Sequence, residues 1–192
     1  MPRTREQFAE MKDEKRASIL KAALPLFSLN EKVSIDAISE KAKCSHGIVY
    51  HYFKNTEQIY DRLLATPSYI KLHESLFNLP DGSNYEKIEH VLSVLLDVSQ
   101  KDIEKVCYLN IIIKSRDKNS FYTLFTKLVK DGQLAGSIIG GEPTQLTESI
   151  FLLLKGVYLS LILEKHPIVR VPSLETVMQL LRKPSNFGRQ IL

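Results

Sequence analysis

Cysteine is scarce in this chain: Cys44 and Cys107 are the only two among 192 residues. Two thiols cannot build a disulfide framework, and they fit a reduced, cytoplasmic setting. Long apolar runs are missing too. The longest, Ile150–Leu163, spans 14 residues and carries Lys155, too short and too interrupted to read as a bilayer span. The first 16 residues, MPRTREQFAEMKDEKR, are charged throughout and lack the apolar stretch of a secretory signal. No segment is of low complexity and no period repeats. Neither sign of charge dominates: the net charge is +4 and the pI about 8.9. Residues 1–66 hold 11 Lys+Arg against 9 Asp+Glu, and residues 67–192 hold 15 against 13. Bulk charge therefore permits an anionic partner without pointing to one. Enzyme signatures are missing as well: there is no G-x-S-x-G, no P-loop, no G-x-G-x-x-G and no paired-cysteine metal motif. The reading is of a protein that is not an enzyme and uses no cofactor or metal. An enzyme whose residues meet only in three dimensions is the rival from another class.

What the sequence has in abundance is helical periodicity. In 15–30, KRASILKAALPLFSLN, Ile19, Leu20, Ala23, Leu26 and Phe27 recur at spacings of three and four, with Pro25 expected to kink the last turn. Ser34 is a good N-cap for a short helix at 35–42, with Asp36 in its first turn. Ser45 is a second N-cap, for a helix running to about Phe53. Asn55-Thr-Glu-Gln58 has the spacing of a capping box and opens a helix that Pro67 stops. Further on the helices lengthen: 67–79, 84–101, 102–114, 118–133, 144–166 and 173–183, with a Gly-rich break at 136–143. Asn110–Ile113 and Ile168–Val171 are β-branched enough for minor strands. The fold class is thus all-α: a compact head of short helices at 1–65, then a longer-helix domain at 66–192.

Within the head, residues 44–53 read CSHGIVYHYF. On a helix at about 100° per residue, Ile48, Val49, Tyr52 and Phe53 gather on one side, and His46, Gly47, Tyr50 and His51 on the other. Two histidines that share a metal from one helix need a spacing of four. His46 and His51 are five apart, roughly 140° around the helix, which argues against a metal site. The first set packs inward and the second is free to face out. A short helix, a tight turn and a second short helix form a helix-turn-helix, whose second helix can lie in a DNA major groove.

Residues 12–65 resemble the DNA-binding domain of the tetracycline-repressor (TetR) family of bacterial transcription regulators. The motifs that carry the resemblance are ILKAALPLF (19–27), VSIDAISEKAKCS (33–45) and GIVYHYFKNTEQIY (47–60). The resemblance implies a three-helix DNA-binding head whose recognition helix is Ser45–Phe53. It implies DNA contacts at Ser45, His46, Gly47, Tyr50, His51 and Lys54, with His46 as the base-edge reader and Tyr50, His51 and Lys54 mainly on phosphate. The chain departs from the family pattern at four places. Lys43 takes a turn position where glycine is usual, Ile48 one where threonine is common, His46 one often held by Lys or Arg, and NEKV replaces a Gly-aromatic break. Either modest affinity or compensation from Arg3, Arg5 and Lys12 in the N-terminal arm is expected.

In the C-terminal domain, Ile150–Leu163 is apolar almost all round. A helix of that kind needs cover on both sides: from its own core and a second subunit, or, as the alternative, from the core of a monomer that buries it deeply. The resemblance implies a homodimer through 144–165 and 173–183, reading a palindromic double-stranded operator in successive major grooves about 34–36 Å apart. It also implies a small-molecule effector, for which Tyr85, Cys107, Tyr108, Asn110, Phe121, Tyr122 and Phe125 are the candidate lining. The remaining rival is a helical interaction protein with a degenerate DNA-binding head.

Overall fold

The computed structural model of the chain describes residues 5–164 and 169–182. Arg3 of the expected arm, the interface ends at 165 and 183, and the tail after 182 lie outside the described residues. These contain ten helices and no strand. They divide into two compact units, Met1–Lys71 and Leu72–Leu192.

The first unit begins with α1 (Arg5–Leu29), which starts fourteen residues before Ile19, the first residue of the apolar stripe, and runs through Pro25 to Leu29. The early residues MKDEKR are good helix formers, so propensity extends the helix beyond its apolar face. α2 (Ile35–Lys41) is capped by Ser34, whose Oγ accepts from the Ala37 N–H at 3.1 Å. α3 (His46–Tyr52) and α4 (Thr56–Leu64) complete the head. α1 packs on α2 and α4, and α2 on α3. Ile19, Ala23, Ile38, Val49 and Ile59 are fully buried and form the head's core. α5 (Pro67–Phe77) opens on Pro67, with the Thr66 hydroxyl accepting from the Tyr69 N–H at 3.3 Å. α4 ends at Leu64, short of Pro67, and Pro67 begins the next helix as expected, since its missing N–H costs nothing at a first helical position.

The second unit holds α6 (Asn84–Leu96), α7 (Ile103–Lys114), α8 (Phe121–Leu134), α9 (Pro143–Leu163) and α10 (Leu174–Gln179). Ser83 and Glu86 form a full capping box at the start of α6. α6 ends at Leu96, five residues short of the expected end, because SQKD supplies a polar break and Asp102 caps α7. Asn110–Ile113, read as part of a helix at 102–114 with a minor strand as the alternative, is helical within α7, which buries every residue from Val106 to Ile113. α9 packs on α7 and α8, α6 on α8, and α10 on α6. The Gly-rich break is pinned by Gln133, whose Nε2 donates to the carbonyls of Ile139 (2.9 Å) and Gly141 (3.1 Å). α9 is 21 residues long, and by length and composition alone it could cross a membrane. One side of it is instead buried in the unit's core, through Ile150, Phe151, Leu154, Val157 and Tyr158.

Tyr158 joins two of these helices. Fully enclosed, it donates its hydroxyl to the Leu95 carbonyl at 2.8 Å, in the last turn of α6. Burial pushes the phenol far above its ordinary range, so it stays a donor. Tyr158→Phe is expected to lower stability by about 1–2 kcal/mol, because it removes the partner of a buried helix-end carbonyl. Urea unfolding measures this, and an unchanged midpoint would refute the role of the bond.

Candidate nucleic-acid interface

The turn between α2 and α3 shapes the outer face of the head. At the end of α2 the Cys44 N–H donates to the Ser39 carbonyl at 3.0 Å, and the Lys43 N–H to the Glu40 carbonyl at 3.1 Å. These paired bonds are those of a Schellman helix end, whose first residue past the cap turns left-handed. That residue is Lys43, with φ at 48°. Glycine is usual at this position, and a lysine held there carries left-handed strain. Lys43→Gly is expected to raise stability by roughly 0.5–1 kcal/mol, the relief of left-handed strain being partly offset by glycine's freedom in the unfolded chain. Thermal unfolding should show a midpoint roughly 1–4 °C higher; a lower midpoint contradicts the strain.

Ser45 then caps α3, its Oγ accepting from the Ile48 N–H at 3.4 Å. Val49 is fully buried, Phe53 nearly so, and Tyr52 half-buried. On the opposite side His46, Gly47, Tyr50 and His51 are all exposed, Tyr50 by 59%. Ile48 departs from the expected inward set: it is 39% exposed. On the wheel it sits at the edge of the apolar arc, between His51 and Tyr52. Lys54 is exposed just past the helix, and its backbone is fixed. Its N–H donates to Gln58 Oε1 at 2.7 Å, while Asn55 Oδ1 accepts from the Gln58 N–H at 2.9 Å. Gln58 therefore closes the cap of α4 on Lys54, one residue before the Asn55 that the sequence pattern names.

His46 Nε2 lies 3.3 Å from Asp36 Oδ1, and both side chains are well exposed. Such a pair adds little stability. It does place an acid beside the outward face of α3, ten residues upstream of His46. Among the described residues no group of three His, Cys, Asp or Glu side chains converges on one point.

The candidate effector residues lie inside the second unit. Cys107, Tyr108 and Asn110 are buried on α7, and Phe121 and Phe125 on α8; Tyr85 and Tyr122 are half-buried. Three of the candidate rings stand close together through Phe151, which stacks on Phe121 at 5.9 Å and lies 5.5 Å from Phe125 and 5.8 Å from Tyr122. The Tyr122 hydroxyl donates to Glu148 Oε1 at 3.2 Å, and the Arg116 guanidinium sits 4.2 Å over its ring. Desolvation first, and then the Glu148 charge, hold this phenol above its usual range. Tyr85 shares no ring contact with this cluster.

Residues 19–63, from the apolar stripe of α1 into α4, match the family model described as bacterial regulatory proteins, tetR family. The head is a tetR-family domain. Solved structures extend the likeness of fold to the rest of the chain. The MbdR regulator from Azoarcus sp. CIB is 19% identical over 87% of this chain and 97% of its own, with a TM-score of 0.57. The ketosteroid transcriptional regulator KstR2 of Mycobacterium tuberculosis is 11% identical over 88% and 95%, with a TM-score of 0.53. NalD of Pseudomonas aeruginosa, the secondary repressor of the MexAB-OprM multidrug efflux pump, is 19% identical over 90% and 98%, with a TM-score of 0.51. No curated protein matches the chain.

Two features of the tetR-family head escaped sequence reasoning. The exposure of Ile48 depends on how α2 and α3 pack, which periodicity does not encode. The contact of Asp36 with His46 depends on the crossing of the same two helices; the only local signal is an acid in the first turn of α2, which a dipole argument already explains.

Proposed function

We propose that this chain is a cytoplasmic, non-enzymatic transcription repressor. Two copies hold a palindromic double-stranded DNA operator, one α3 in each successive major groove, and a small molecule bound in the second unit releases them. The observation that carries the reading is the two-sided α3. Val49 and Phe53 anchor it to the head, while Ser45, His46, Gly47, Tyr50 and His51 are left at its outer side with Lys54 at its end. Phosphate contacts from Tyr50, His51 and Lys54 set the register, and His46 meets a base edge. Lys12 is exposed on α1 and available to the DNA backbone.

The homodimer, in this reading, forms through 144–165 and 173–183. α9 supports it by leaving Leu152, Gly156 and Leu163 exposed along one line. The effector meets Tyr85, Cys107, Tyr108, Asn110, Phe121, Tyr122 and Phe125. It releases DNA only to the extent that it favours a spacing of the two heads that does not fit the operator.

Mobility shift on duplexes selected from a randomised pool, run across a salt series, tests the reading. Binding should weaken steeply with salt, and Lys54→Ala should flatten the log–log slope by about one unit for every sequence alike. An unchanged slope removes Lys54 from the phosphate contacts. Absent or salt-insensitive binding rejects the repressor. It would favour a helical interaction protein with a degenerate head, a reading that the acid beside His46 and the exposed Ile48 support.

A further inference from the structure

We propose that Ile48 is a specificity-determining residue that reads the methyl group of a thymine in the major groove; this rests on the DNA-binding reading of α3. Ile48 stands in the first turn of α3 and is 39% exposed, beside an outward face that is otherwise polar or lacks a side chain. It carries no donor for a phosphate and no acceptor for a base amine. Among the groups that base pairs present in the major groove, the thymine C5-methyl is the apolar one. Covering Ile48 with that methyl removes two apolar surfaces from water together.

Gly47, the neighbour of Ile48, supplies an independent observation. A Cβ built on Gly47 would meet only Ser45 Oγ, at 3.9 Å, and its φ is not in the left-handed region. Neither space nor backbone conformation inside the head calls for glycine here, and glycine weakens a helix relative to alanine. The missing side chain instead lets the first turn of α3 approach an outside surface closely. A helix seated that deeply brings the adjacent Ile48 to the base edges, where a methyl stands, and away from the sugar–phosphate rim alone. His46 and Ile48 then read different chemistry from the same turn, one a hydrogen-bonding edge and the other an apolar one.

Removing the methyl without changing base pairing tests the assignment. Wild-type protein is used to select a duplex from a randomised pool, and each thymine of that duplex is then replaced in turn by deoxyuridine. One thymine in each half-site is expected to weaken binding about fourfold on replacement, the equivalent of one buried methyl at about 0.8 kcal/mol. Ile48→Ala should bind the thymine and uracil duplexes equally well. A duplex whose binding is indifferent to uracil at every position overturns the assignment while leaving the DNA-binding reading intact. Full discrimination retained in Ile48→Ala overturns it as well. A pool that yields no bound duplex rejects the DNA-binding reading and the assignment with it. Should Ile48→Ala fail to fold, Ile48→Val takes its place with a reduced discrimination expected, and undiminished discrimination is the overturning result.

Discussion

Gly47→Ala is expected to weaken operator binding by on the order of tenfold to a hundredfold while leaving the fold as stable as before or slightly more so. The two halves of this expectation have separate causes. Inside the protein the new methyl meets only Ser45 Oγ at 3.9 Å, an ordinary contact, and the position is helical. Alanine there should gain roughly 0.5–1 kcal/mol over glycine in the helix. Against a partner packed as closely as a protein interior, one added methylene-sized group costs roughly 1–3 kcal/mol, and each 1.4 kcal/mol is about tenfold in affinity. A stability change and a binding change of opposite sign are hard to obtain from general damage to the head. Thermal unfolding and mobility shift on the same preparation measure both. Unchanged affinity would show that the first turn of α3 does not approach DNA closely.

The second large effect is expected at α9. Leu152 is 72% exposed and Leu163 65%. Gly156 is exposed between them, with nothing within 4 Å of where its Cβ would stand. Together with the half-buried Leu159 these fall at spacings of four, three and four, one continuous line down the helix. Exposed leucines one at a time need no explanation, but a line of them around an open glycine is the pattern of a helix that receives another helix. Leu152→Glu is therefore expected to convert a dimer at micromolar concentration into monomer, since it places an unpaired charge at a dry contact. Affinity for a palindrome should drop with it, because the second half-site is then no longer held at high effective concentration. Sedimentation equilibrium reads the first effect and mobility shift the second. If Leu152→Glu remains as dimeric as the wild type, this line is not the contact.

The expectations that held are those with a local physical cause. Ser34, Ser45 and Asn55 each accept from the backbone N–H three residues on, as their positions before apolar periods imply. Lys43 takes the left-handed conformation because the paired bonds at the end of α2 demand it, whatever the residue. Val49 and Phe53 are buried because the wheel leaves them no other side. Where the sequence misled, the cause was competition between elements. α6 stops at Leu96 although Val98 continues its apolar spacing, since the Asp102 cap draws the chain into α7. Ile48 is apolar and faces out because only tertiary reach decides the edge of an arc. The candidate site was legible in the same measure: its outer side chains follow from periodicity, while Asp36 beside His46 follows only from how two helices cross.

The order of helix contacts along the chain also has a consequence for folding in time. In the head, α1 packs on α2 and α2 on α3, so its core closes over short loops and should form fast. In the second unit α10 packs on α6, and the Ile139 N–H donates to the Leu181 carbonyl. Those contacts wait on residues made last. During synthesis, then, the head can finish its core before α10 has been translated, and the first unit is complete before the second.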